Sequence, residues 1–170
     1  MTATLGYALF DQLENDASTS FSDSYQSHLS LAERADEAGF THWFKSEHHH
    51  VPLDIAPSIN VFLSAVIQRT THIRVASLVH LLPFYDPMRL YEELCMLDHL
   101  SNGRLEIGFG KGISPAEQML WGVPNEEAAA QTEEILDYVL SAMRCVAERG
   151  LGGLFSYDGK YYSATERPLE

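Results

Sequence analysis

The stretch Ala38-Gly39-Phe40-Thr41-His42-Trp43-Phe44-Lys45-Ser46-Glu47-His48-His49-His50 carries the end of a helix, a strand and a polar loop in immediate succession. Before it, Tyr25, Leu29, Ala32, Ala35 and Ala38 recur at helical spacing, and Gly39 supplies a C-terminal stop. After a short turn, Thr41–Lys45, with Trp43 and Phe44, reads as a strand, as a βα repeat requires. The strand then runs straight into Glu47 and three histidines.

The same alternation extends outward in both directions. Leu5–Phe10 is a short apolar run without charge, the pattern of a buried parallel strand. Downstream, Pro57 suits the first turn of a helix whose apolar face is Ile59, Phe62, Leu63, Val66 and Ile67, ending near Arg69. Ile73–Leu82 is almost continuously apolar and reads as one strand covered on both faces, closed by Pro83. Asp86-Pro87 forms an N-cap with proline at the first helical position, Leu90, Tyr91, Leu94, Leu97 and Leu100 follow, and Asn102-Gly103 ends that helix. Leu105–Phe109 is the fourth strand. A glycine-rich loop then leads through Trp121 and Pro124 to a helix with Glu126 and Glu127 in its first turn and Arg144 and Arg149 near its end. In the tail, Asp158-Gly159 predicts a hairpin.

Strands therefore begin near residues 5, 41, 73 and 104. The repeat is about 31 to 36 residues, and a (β/α)₈ barrel spends roughly 31 per unit. On this reading about four units are present where eight close a barrel. A doubly wound sheet is the rival. Against it, no glycine-rich phosphate turn follows the first strand, where the sequence is Asp11-Gln12-Leu13-Glu14-Asn15. Composition and period leave both architectures open.

The 170 residues are 45% hydrophobic and 21% charged, the balance of a globular chain read here as one domain over 1–170. With 11 basic and 24 acidic side chains the formal charge is −13, and no Lys/Arg cluster exists to hold a phosphate backbone, so nucleic acid is not an expected partner. Cys95 and Cys145 lack metal-ligand spacing, which suits reduced thiols in the cytoplasm. No leader-like N-terminus and no apolar run of roughly 18 residues is present, so no membrane anchor is expected.

In either α/β architecture, functional groups gather at the C-terminal ends of the strands. Three segments fall there: Ser46-Glu47-His48-His49-His50, Val79-His80-Leu81-Leu82-Pro83 and Gly108-Phe109-Gly110-Lys111-Gly112. An imidazole beside a carboxylate can donate or accept a proton near neutrality, with Glu47 the local modulator. A decorated loop is the alternative. His48 and His50, two apart, also allow a metal reading as in barrel hydrolases, but the further ligands such a site needs are not evident, and no metal is assigned. The alternating glycines would let backbone approach a ligand, with Lys111 offering charge to a phosphate, or they could simply relieve crowding. His80, in an apolar strand, reads as a satisfied core histidine.

The order of segments is more informative than any one of them. Ala38–His49, then Thr71-His72-Ile73-Arg74-Val75, then Leu82-Pro83-Phe84-Tyr85-Asp86-Pro87-Met88-Arg89, then Leu97 through Gly112, and finally Asp158-Gly159-Lys160-Tyr161-Tyr162, strongly resemble the bacterial luciferase-like flavin monooxygenases. The resemblance covers nearly the whole chain. It implies the TIM (β/α)₈ barrel, with flavin across its C-terminal mouth. It further implies that reduced flavin mononucleotide (FMN), delivered by a separate reductase, activates O₂ to oxidise a small organic substrate, while the protein positions the cofactor and excludes water.

By position, the resemblance makes His48 the catalytic histidine, with Glu47 and His49 as companions. It places Leu78-Val79 where the family has a non-proline cis peptide against the flavin ring, and Gly110 and Lys111 near the flavin phosphate. It also implies a homodimer through helices two and three. Bioluminescence is not implied, because Gly110 stands where luciferase has a reactive cysteine. An F420-dependent oxidoreductase of the same family and a non-catalytic flavin-binding or partner subunit remain alternatives, and a metal-dependent barrel hydrolase a remote one. Lacking strands five to eight, this chain is expected to be an N-terminal half barrel, inactive alone.

Overall fold

The structure is a computed structural model, and it describes residues 6–14, 17–50 and 53–169. The chain divides into two compact units, one built from residues up to 80 together with 95–109, the other from 81–94 and 110 onward.

The first unit is a parallel sheet with helices. Strands β1 (Ala8–Asp11), β2 (His42–Lys45), β3 (Arg74–Ser77) and β5 (Leu105–Glu106) pair in the order β1-β2-β3-β5, all parallel. The order advances without reversal, whereas a doubly wound sheet turns back on itself. Between the strands run α1 (Phe21–Glu37), α2 (Ile59–Arg69) and α3 (Pro87–Ser101), of which residues 95–101 belong to this unit.

Side chains on a strand alternate between faces, and the register aligns like with like. One face carries Trp43 and Val75, both fully buried; Trp43 stacks on Phe62 of α2 with ring centroids 6.0 Å apart. The other face carries Phe10 and Phe44, paired across β1 and β2; Phe10 is 53% exposed. The expectation of a first strand buried on both faces is therefore corrected: β1 is parallel, but Ala8 and Phe10 are exposed, while Trp43 on the opposite face of the sheet packs on α2. Leu5 lies outside the described residues.

At the N-terminal ends of the strands, two polar side chains tie helices to sheet. Asp36, near the end of α1, accepts backbone hydrogen bonds from Thr71 (2.6 Å), His72 (3.0 Å) and Ile73 (2.6 Å). Burial opposes its charge, yet these three N–H groups together hold its carboxyl below the usual range. Arg104 donates to the carbonyls of Ile67, Thr70, Ile73 and Ser101 and to the Thr70 hydroxyl at 2.8–3.1 Å, closing the end of α2 onto the starts of β3 and β5.

Several boundaries differ from the sequence reading for local reasons. Ile73–Leu82 is not one strand; β3 ends at Ser77 and β4 (His80–Leu81) follows a cis peptide between Leu78 and Val79. Leu105–Phe109 is likewise divided into β5 and β6 (Phe109–Gly110), and β4 pairs with β6. Pro57 precedes α2 rather than entering its first turn, since Ser58 is the N-cap. Asp86 caps α3 as expected, its Oδ1 accepting from Arg89 N at 2.9 Å. Asn102 and Gly103 take left-handed φ values of 56° and 76° at the end of α3.

In the second unit, α4 (Pro115–Leu120) is a short helix that the sequence reading missed, although Ser114-Pro115 gives it a cap and a proline start. Helix α5 (Ala128–Arg149) begins after Glu126 and Glu127, so the acidic pair precedes its first turn instead of occupying it. The tail is the expected hairpin, β7 (Leu154–Asp158) antiparallel to β8 (Ser163–Pro168). Tyr138 of α5 packs edge-on against Phe155 at 5.2 Å, and the Glu134 carboxylate accepts from the backbone N–H groups of Lys160, Tyr161 and Tyr162. A Cβ at Gly159 would push aside the far end of the Glu134 side chain.

Replacing Asp36 by Ala strands three backbone donors and is expected to cost about 2 kcal/mol in urea unfolding at neutral pH. Its folded pKa lies below the unfolded value of 3.8. The contribution is therefore complete above that value and lost as pH falls through the folded pKa, so parent and variant stabilities should converge in acid.

Candidate functional site

The parallel register sets Asp11, Lys45 and Ser77 side by side in one row at the C-terminal ends of β1, β2 and β3. All three are buried, on the helix-facing side of the sheet, and each must find partners there. Asp11 accepts from His28 Nδ1 of α1 at 2.6 Å. Lys45 donates to the Ser46 carbonyl at 2.7 Å and ion-pairs with Asp54 in the loop after β2. Burial pulls the Lys45 ammonium below its ordinary pKa, and the charges of Asp54, Asp11 and Glu47 counter that pull.

Ser77 joins the third and fourth strand ends. Its hydroxyl lies 2.7 Å from His80 Nδ1 and 3.1 Å from the Gly108 carbonyl, and the Gly108 N–H donates to it at 3.0 Å. His80 is fully buried, and its Nε2 lies 2.6 Å from Asn60 Oδ1 of α2. His80 is thus a satisfied core histidine that joins β4 to α2. At Gly108 two backbones approach closely, since a Cβ would sit 2.6 Å from the Ser77 carbonyl oxygen. The glycine spares a collision with protein backbone; open space for a ligand is not its reason.

From this buried row the loop after β2 emerges with the histidines. Glu47 is buried, and its Oε1 accepts from His49 Nε2 at 2.8 Å, so the local carboxylate orients His49. His48, between them, is half-buried, and His50 is exposed with a left-handed φ of 53°. Leu78 N donates to the Lys45 carbonyl at 2.8 Å, anchoring the cis Leu78–Val79 peptide beside the same strand end; the Leu78 side chain is 48% exposed. Gly110 lies in β6, and Lys111 is an exposed cation in the loop beyond it. Gly112 has a φ of +77°, which an L side chain rarely adopts. Glu47, His48, His49 and Leu78-Val79 thus belong to the first unit, and Gly110 and Lys111 to the second.

The sequence reading missed Asp11, His28, Lys45, Asp54 and Asn60. Lys45 was findable: it alternates with Trp43, so a strand that buries the tryptophan buries the lysine as well. Asp54 and Asn60 carry no such signal. Among the described residues no group of three or more His, Cys, Asp or Glu side chains is arranged to hold a metal ion. No described helix is long and apolar enough to cross a membrane.

Comparison with known proteins identifies the class. The family model of luciferase-like monooxygenases matches residues 4–170, and the chain belongs to that family. Its relatives include "Uncharacterized protein y4wF" of Sinorhizobium fredii, 38% identical over 169 residues that span 99% of this chain and 47% of the relative. Limonene 1,2-monooxygenase of Rhodococcus erythropolis is 32% identical over 111 residues, 65% of this chain and 29% of that protein. Among solved structures, monooxygenase RslO1 from Streptomyces bottropensis superposes with a TM-score of 0.85 at 28% identity, covering 97% of this chain and 48% of that one. The FMN complex of the oxygenating constituent of 3,6-diketocamphane monooxygenase from Pseudomonas putida shares the fold with a TM-score of 0.86 at 22% identity, covering 99% of this chain and 45% of that one. The α/β fold is thus that of the luciferase-like branch of the TIM-barrel proteins. The chain spans about half the length, or less, of the curated relatives it matches.

Gly108→Ala should force the ends of β3 and β5 apart and destabilise the protein by about 1–3 kcal/mol in denaturant unfolding. Gly103→Ala, at a position with open space around it, should cost only the smaller strain of its left-handed backbone.

Proposed function

We propose that the chain is part of a flavin-dependent monooxygenase that uses reduced FMN and O₂ to oxidise a small organic substrate. The observation that carries the reading is the strand-end loop after β2. There His48 stands half-open between the members of a buried Glu47–His49 pair. Relatives at 30–32% identity include limonene 1,2-monooxygenase and the oxygenase component of the flavin-dependent trigonelline monooxygenase of Acinetobacter baylyi, which support oxygen chemistry and a separate reductase partner.

The residues suit a flavin in kind. Leu78 offers a half-exposed apolar side chain for a flat ring, and Lys111, next to a glycine that takes a left-handed φ, offers an accessible ammonium for a phosphate. On this proposal Leu78 and Val79 hold the ring while Gly110 and Lys111 hold the phosphate. The flavin supplies the redox chemistry when bound. The protein's part is proton handling: His48 Nε2 or Nδ1 accepts or returns a proton, while Glu47 holds the His49 ring beside it.

One family model spanning residues 4–170 supports reading both units as parts of a single barrel domain, and the open Phe10–Phe44 face supports its being half of one. We place the activity in a complete barrel, cytoplasmic and dimeric, and expect the 170 residues alone to show no turnover. The F420-dependent tetrahydromethanopterin reductase of Methanopyrus kandleri shares the fold with a TM-score of 0.71 at 18% identity, and F420 is the second cofactor to test.

In a polypeptide with the complete barrel, His48→Ala should lower substrate oxidation by about 10²-fold or more. Flavin affinity, read by fluorescence quenching, should change less than twofold. Equal losses in both would make the chain a binding module, and turnover with reduced F420 but not reduced FMN would move it to the other branch.

A further inference from the structure

The strongest unassigned feature is the ion pair of Lys45 and Asp54, whose side chains are both fully buried. Core lysines are rare, because an ammonium loses far more hydration than a methylene stem gains. Every polar contact of this pair leads into one loop. Lys45 binds the Ser46 carbonyl at 2.7 Å and the Asp54 carboxylate. Asp54 Oδ2 also accepts from the Ser46 hydroxyl at 3.0 Å, while its Oδ1 accepts from Ala56 N at 2.7 Å. The last residue of β2, the first residue of the loop and a segment eight residues further on from Ser46 are thereby drawn to one buried point. Glu47, His48 and His49 lie between the two ends of that closure.

We propose that Lys45, Ser46 and Asp54 form a buried clasp that fixes the histidine loop, making Lys45 and Asp54 positioning residues for His48. The clasp explains why a charged pair is kept where an apolar pair would pack at less cost: two carboxylate oxygens and an ammonium satisfy a strand end, a hydroxyl and a backbone N–H at once. It also fixes direction. The Leu78 N–H donates to the carbonyl of Lys45 itself, so the same residue sets both the histidine loop and the cis peptide of the adjacent strand end. Asp11, beside Lys45 in the register and bound to His28, supplies the neighbouring carboxylate that counters the desolvation of the ammonium.

The part about His48 rests on the monooxygenase reading; the clasp itself does not, and the test separates them. In the complete-barrel protein, Lys45→Met and Asp54→Asn are made singly and together. Each single variant leaves one buried polar group without its counter-ion and should lose more than about 10 °C of Tm. The double variant is neutral and should recover most of that loss, so that folding does not confuse the result. In the folded double variant, backbone amide exchange at residues 47–50 should accelerate by on the order of tenfold, as expected for a loop released from its anchor. There kcat should fall by on the order of tenfold to a hundredfold, with flavin affinity and KM within twofold, and adding His48→Ala should take it no lower than His48→Ala alone does. Parent-like exchange at 47–50 in the folded double variant overturns the clasp, whatever the activity. Faster exchange with parent-like kcat overturns the positioning role. If His48→Ala alone leaves turnover intact, the monooxygenase reading of His48 fails while the exchange result still decides the clasp.

Discussion

The row Asp11–Lys45–Ser77 is the constraint on which the strand-end architecture depends. Parallel pairing makes residues of equal register point the same way, and this row points into the helix-covered side, where water is excluded. Each polar group must then be answered by a neighbour. His28 answers from α1, Asp54 from the loop after β2, and His80, Asn60 and Gly108 answer around Ser77. The connections at the strand ends are shaped by these obligations, and the loop with the best candidate for proton transfer is among them.

The opposite ends of the strands have the complementary role. Asp36 and Arg104 satisfy backbone groups at the turns before β3 and β5, using one carboxylate and one guanidinium to close several termini. These contacts concern stability, and the imidazole beside them, that of His72 at 3.7 Å from Asp36, is exposed at the surface. That division, structural polar groups at the starts of strands and reactive ones at their ends, is the general habit of parallel α/β proteins. Here the starts carry groups that satisfy backbone turns, and the ends carry the buried row Asp11–Lys45–Ser77.

Much of this was legible in the residues. The βα repeat follows from helical stripes ending at Gly39 and Gly103, and from the strands between them; Asp86-Pro87 and Asp158-Gly159 announced a cap and a hairpin. The succession of motifs pointed to the luciferase-like family, which the match over residues 4–170 bears out. The breaks inside Ile73–Leu82 and Leu105–Phe109 were not legible as strand boundaries, because apolar composition continues through them while the hydrogen-bond ladder does not. Glu47 stood out as a partner for histidine, and its meeting with His49, two residues on, depends on how the chain turns after β2.

Local sequence by itself determined the alternation of strands and helices, their caps and the polar segments at strand ends, since these depend on neighbours a few residues away. Tertiary structure alone decided which polar side chains share one buried row, and that Lys45 meets Asp54 and His80 meets Asn60. Those partners lie 9 and 20 residues apart along the chain, and only sheet register and helix packing bring them within hydrogen-bonding reach.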